Sequence, residues 1–171
     1  MDNNFLAYLQ QLELMAFFSG YPLLYAVTLF ITGNHYFKNN FTGRVFALLP
    51  FSYALVGTLC LGLQLKNLYP DYSGDHIKLV MQQPWLVTWG LLSIFFWIPS
   101  IGKKVILSLI HSFVFFFLLV KDLFLQSSPD NTIVRNAMKI YTNSIFLNVG
   151  AFVFIVFVTL LHSQYKKRII P

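Results

Sequence analysis

The sequence predicts an all-α integral membrane protein, a bundle of five transmembrane helices with no soluble domain. Three observations lead there. Only 11% of the 171 residues are charged while 57% are hydrophobic, against roughly 25% charged in ordinary soluble domains. So little charge cannot coat a globule of this size, and mean hydropathy is +0.64. Second, charge-free stretches cover residues 14–37, 45–65, 79–102, 105–120 and 140–165. A helix needs about 20 apolar residues to cross the roughly 30 Å hydrocarbon core. Third, with five crossings the six acids (Asp2, Glu13, Asp71, Asp75, Asp122, Asp130) fall on one side. The other side carries only bases: Lys38, Arg44, Lys103, Lys104, Lys166, Lys167 and Arg168. A membrane barrel would show short alternating segments, whereas runs such as FVFFFLLV are continuous.

The first span is placed at residues 14–36. The preceding residues lack a basic n-region and carry Asp2 and Glu13, which argues for a retained helix over a cleaved signal peptide. Residues 3–13 read as an interfacial helix or as the first turns of that span, and Pro22 beside Gly20, like Pro50 in the next span, predicts a kink. Tyr21, Tyr25, Thr28, Thr32 and His35 recur at steps of 4, 3, 4 and 3 residues, a spacing that keeps one helical face. The second span, 45–65, follows a polar turn (KNNFTGR). It carries a small-residue stripe, Pro50, Ala54, Thr58 and Gly62, expected to face inward. Cys60 is the single cysteine, which excludes an intramolecular disulfide and a CxxC redox pair.

The loop at 66–78 holds Pro, Gly and Asp turn residues. The third span, 81–102, contains all three tryptophans, Trp85, Trp89 and Trp97. Trp85 and Trp97 lie near its two ends as interface anchors. The fourth, 105–125, reaches full length by running through Lys121 and Asp122. Ser108, His111 and Ser112 share one of its faces, and His111 lies about 10 Å inside its end. The loop at 126–139 leads to the fifth span, 140–163, where Tyr141, Ser144, Asn148 and Ala151 form a polar stripe. The alternative topology has four spans, with the first segment re-entrant or interfacial.

The charge pattern puts the N-terminus outside and the C-terminus in the cytoplasm, with a bacterial inner membrane as the expected location. The net charge of +6 does not point to nucleic acid, because the bases sit in small groups between apolar spans and suit anionic headgroups instead. No catalytic residues, metal ligands or cofactor motif are assigned: there is no HExxH, Walker loop or GxGxxG.

His111 is the sharpest single candidate, since an ionisable group at such depth suggests function. Its expected partners are Thr28 or Thr32 on the first span and Thr159 on the fifth. Tyr25, Thr28, Thr58, Trp89, His111 and Asn148 would line an intramembrane pocket or simply make polar contacts between helices. Glu13, Lys121 and Asp122 share the outer boundary as a candidate charge cluster. Two functions follow as expectations. One is a non-catalytic subunit, assembly factor or self-associating interaction protein, whose partners are the lipid bilayer and a membrane protein or a second copy. The other is a carrier, a lipophilic-ligand binder or a small lipid-active enzyme with its pocket around His111.

Overall fold

The computed structural model describes residues 3–32, 41–125 and 131–169, and every structural statement below concerns these. They form helices with no strand: α1 (Asn3–Phe18), α2 (Tyr21–Thr32), α3 (Phe41–Phe46), α4 (Leu49–Leu68), α5 (Gly74–Val80), α6 (Pro84–Leu91), a 3₁₀ stretch (Leu92–Trp97), α7 (Pro99–Gly102), α8 (Val105–Leu125) and α9 (Asn131–Ile169). Four helical segments are long and apolar enough to cross a membrane: Leu6–Thr32, Gly43–Leu68, Val105–Phe124 and Ala137–Tyr165. These four fit a membrane location. The first begins well before residue 14, because α1 continues through the polar residues ahead of it. His35 and the end of the predicted first span lie outside the described residues.

The exception to the five-span expectation falls on the third segment, not the first. Pro84 and Pro99 each occupy the first turn of a short helix, where a missing N–H costs nothing. Between them the chain tightens into the 3₁₀ stretch, leaving Pro84–Trp97 as a shorter apolar helix. Ser93 explains where the tightening is held. It is fully buried, its hydroxyl donates to the Gly90 carbonyl at 2.6 Å, and it fills the space left by Gly57 of α4, where any Cβ would overlap it.

α1 and α2 together make one segment long and apolar enough to cross a membrane, broken at Ser19–Gly20. Pro22 has no N–H, and its ring would clash with the carbonyl of Phe18 if the helix ran straight through. The break strands backbone groups that hydrocarbon cannot satisfy. α9 supplies the partners: Gly20 N–H donates to Ser144 Oγ at 2.8 Å, and Asn148 Nδ2 donates to the Phe17 carbonyl at 2.8 Å. The approach is backbone to backbone. A Cβ on Gly20 would sit 2.5 Å from Ile145 N and 2.6 Å from the Ser144 carbonyl carbon, so glycine is required there.

Pro50 likewise marks a helix start rather than a kink, with α3 and α4 separated at Ala47–Leu48. α4 is the central element, packed against α9, α1, α6 and the 3₁₀ stretch. Around it Phe18, Tyr21, Tyr53, Val56, Leu86 and Phe115 form the core. α9 buries a narrow stripe, Ser144, Asn148, Ala151 and Ile155, flanks it with the half-buried Leu147 and Phe152, and turns Phe146, Val153, Phe154 and Phe157 outward.

The bundle ends differ in charge. Glu13 of α1 lies in a shallow groove with Asn67 at the end of α4 and Val80 at the end of α5, and Gln11 Nε2 donates to Asp122 Oδ2 at 3.0 Å. Asp71 lies in the connection from the end of α4 to the start of α5, and Asp75 in the first turn of α5. Ser73 donates to Asp71 through its backbone N–H and its hydroxyl, each at 2.9 Å, which holds that carboxyl below its ordinary range. At the same end Gln10 bridges α5 and α6, donating to the Val80 carbonyl at 3.2 Å and accepting from Gln83 N–H at 2.8 Å. Arg44 precedes α4 at the opposite end, and Lys103 and Lys104 precede α8 there.

Candidate functional site

His111 sits in an aromatic box in the middle of the bundle. Its Nδ1 is 2.7 Å from the hydroxyl of Tyr53 on α4. Trp89 of α6 stacks on the imidazole, with centroids 4.8 Å apart and planes 7° from parallel, and the indole N–H donates to the His111 carbonyl at 3.2 Å. Phe96 closes an edge at 6.0 Å and 73°. Tyr53 in turn meets Phe18, Tyr21 and Phe96 ring to ring. One turn away along α8, Ser108 donates to the Val105 carbonyl at 2.7 Å. Its single hydrogen is thereby used, so the 2.7 Å contact with Tyr21 is a bond that Tyr21 donates.

The other histidine nitrogen, Nε2, is buried without a hydrogen-bond partner among the described residues. Either tautomer therefore leaves at least one polar group unmatched. If Tyr53 donates to Nδ1, an N–H faces the aromatic walls. If Nδ1 donates to Tyr53, Nε2 is a bare acceptor and the Tyr53 hydrogen must look elsewhere. Asn148 carries a similar deficit: its amide nitrogen serves the Phe17 and Ser144 carbonyls, while its Oδ1 is buried and unpartnered.

The six residues expected to line a pocket or to make polar contacts between helices lie in four places. Trp89 and His111 are together. Asn148 belongs to the α1–α2 break. Tyr25 packs edge-on against Phe46 at 5.3 Å, and Thr28 donates to the Leu24 carbonyl of its own helix. Thr58 is exposed, donates to Ala54 and accepts from Trp97 Nε1 at 3.0 Å. Its outward position corrects the expected inward stripe of α4: Pro50 and Ala54 are buried, Thr58 and Gly62 are not. A strict four-residue repeat drifts about 40° per step around a helix of 3.6 residues per turn, and three steps carry it off the core face.

The partners expected for His111 are replaced as well. Thr28, Thr32 and Thr159 return their hydroxyls to carbonyls of their own helices, a common use of threonine within a helix. Tyr53 was the missed residue. A short echo, PLLYAVTL against PFSYALVGTL, sets Tyr53 beside Tyr25 and Pro50 beside Pro22. Both prolines do open helices, at the second residue of α2 and of α4, but the echo gives no sign of which tyrosine meets a histidine.

Glu13, Lys121 and Asp122 do not gather into one cluster: Glu13 faces the Asn67 groove, Asp122 accepts from Gln11, and Lys121 is exposed. Among the described residues no group of three or more His, Cys, Asp or Glu could hold a metal ion. The surface grooves lie elsewhere. One of about 460 Å³ runs between α4 and α9 past Leu55, Leu59, Phe146 and Gly150, and two more flank Val45; none of these three includes His111. Compared with known proteins, the chain matches no family model, no curated protein and no solved structure.

Proposed function

We propose that the chain is a non-catalytic interaction protein of a membrane complex: a subunit, an assembly factor or a self-associating bundle. The observation that carries this reading is the last helix. α9 buries Ser144, Asn148 and Ala151 on one narrow inward stripe and leaves Phe146, Val153, Phe154 and Phe157 outward, with Gly150 open to its surroundings and a groove beside it. An exposed glycine among bulky apolar neighbours is where another membrane helix approaches most closely. Supporting it against a ligand handler, the space around His111 is occupied by Tyr53, Trp89 and Phe96.

The topology that goes with it has five crossings, an outside N-terminus, a cytoplasmic C-terminus and a bacterial inner membrane. Support for the third crossing comes from length. Laid end to end, α6, the 3₁₀ stretch and α7 rise about 30 Å at 1.5 Å per α residue and about 2.0 Å per 3₁₀ residue. Support for the orientation comes from the bases at the Arg44 end.

The test is photo-crosslinking in native membranes. A photoreactive residue at Phe146, on the outward face of α9 beside Gly150, is expected to give a discrete protein adduct. The same group at Ile106, outward on α8, is expected to label lipid. Lipid-only labelling at both positions would remove the basis of the interaction reading.

A further inference from the structure

Two grooves meet at the Arg44 end of the bundle. One, about 540 Å³, is walled by Val45, Leu48, Val156 and Leu160 and is also lined by Arg44, Ser163 and Gln164. The other, about 390 Å³, shares Val45, Val156 and Leu160 and continues along Phe152, Val153 and Phe157. Both fall within the roughly 300–1,000 Å³ of small-molecule sites. α4 and α9 run antiparallel: Arg44 to Leu48 lies along Val156 to Gln164, and Leu55 and Leu59 lie further along beside Phe146 and Gly150. The polar lining therefore gathers at the end of the bundle, while the apolar walls extend toward its middle.

We infer that these paired grooves bind an anionic diacyl phospholipid, its phosphate on Arg44 with Ser163 and Gln164, and one acyl chain on either side of Val45. Charge complementarity selects the headgroup. Arg44 is exposed, and no carboxylate lines either groove. The described acids gather at the far end with Glu13 and Asp122. Guanidinium groups take phosphate oxygens in paired hydrogen bonds, and a hydroxyl and an amide add neutral donors. Shape selects two chains over a helix: a helix about 10 Å across would have to straddle both troughs and the residues they share, Val45, Val156 and Leu160. Lys166, Lys167 and Arg168 come two to four positions after Gln164 in the sequence, a second basic group that the test separates from Arg44.

The experiment is native mass spectrometry of the full chain, released from nanodiscs of equal phosphatidylglycerol and phosphatidylcholine. The wild type should retain phosphatidylglycerol over phosphatidylcholine, and Arg44→Gln should lower that preference about tenfold, as loss of one charge-assisted contact would. Leu160→Trp, which adds a bulky ring at the position common to both troughs, should weaken binding of both lipids. Lys78→Gln at the opposite end should change nothing. Unchanged preference in Arg44→Gln would overturn the assignment, and so would loss of preference in the triple variant K166Q/K167Q/R168Q alone. Complete competition by inorganic phosphate would also overturn it, since a lipid held by its chains outlasts a free anion.

Discussion

Gly20→Ala puts the backbone contact at the centre of the bundle to the test. The added methyl would lie 2.5 Å from Ile145 N, 2.6 Å from the Ser144 carbonyl carbon and 2.8 Å from Ile145 Cα. All three are backbone atoms, so no rotamer change relieves the overlap, and α9 must move away by about 1 Å to reach ordinary contact distance. That shift stretches the two 2.8 Å bonds that satisfy the broken α1–α2 turn. Overpacking costs about 1–3 kcal/mol, and each backbone group left unpaired about 1–3 kcal/mol. Polar contacts in membrane bundles average nearer 0.6 kcal/mol, so the lower parts of these ranges apply, and the expected loss is on the order of 3 kcal/mol. SDS titration in mixed micelles, followed by the fluorescence of Trp89 against His111, measures it. Gly150→Ala is the control: nothing lies within 4 Å of a Cβ there, and the change should be neutral or stabilise by up to about 1 kcal/mol. A Gly20→Ala protein as stable as the Gly150→Ala protein would refute the backbone contact and the capping account built on it.

Three further outcomes are expected. Tyr53→Phe leaves both His111 nitrogens unpaired and should destabilise by about 1–3 kcal/mol, whereas Tyr53→Phe with His111→Phe should recover most of that loss; a double-mutant cycle with zero coupling would deny the bond, and His111→Ala should cost more than His76→Ala in the same assay. At the exposed α4–α5 connection, the Asp71 carboxyl is held low first by the Ser73 N–H and then by its hydroxyl. The contribution of that turn is therefore present above the ordinary carboxylate pKa and lost as pH falls through the lowered value. Ser73→Ala should move the Asp71 midpoint upward in a carboxyl NMR titration, and an unmoved midpoint would exclude the hydroxyl's part.

Helicity and apolar length were legible in the sequence because transfer into hydrocarbon sums over residues along the chain, and no partner is needed to count it. Separation of acids from bases was legible for the same reason. Pro22 and Pro50 announced breaks, since proline acts on its own turn. The shortened third segment was harder to foresee: Pro84 and Pro99 are visible, yet the 3₁₀ tightening depends on Ser93 settling into the gap at Gly57, 36 positions away. Tyr53 as the partner of His111, Ser144 and Asn148 as caps for a broken helix, and the dispersal of Tyr25, Thr28 and Thr58 from any common pocket were decided by packing. Hydrogen bonds and ring contacts between helices depend on rotation and depth, and a small error in either carries a side chain from one neighbour to the next.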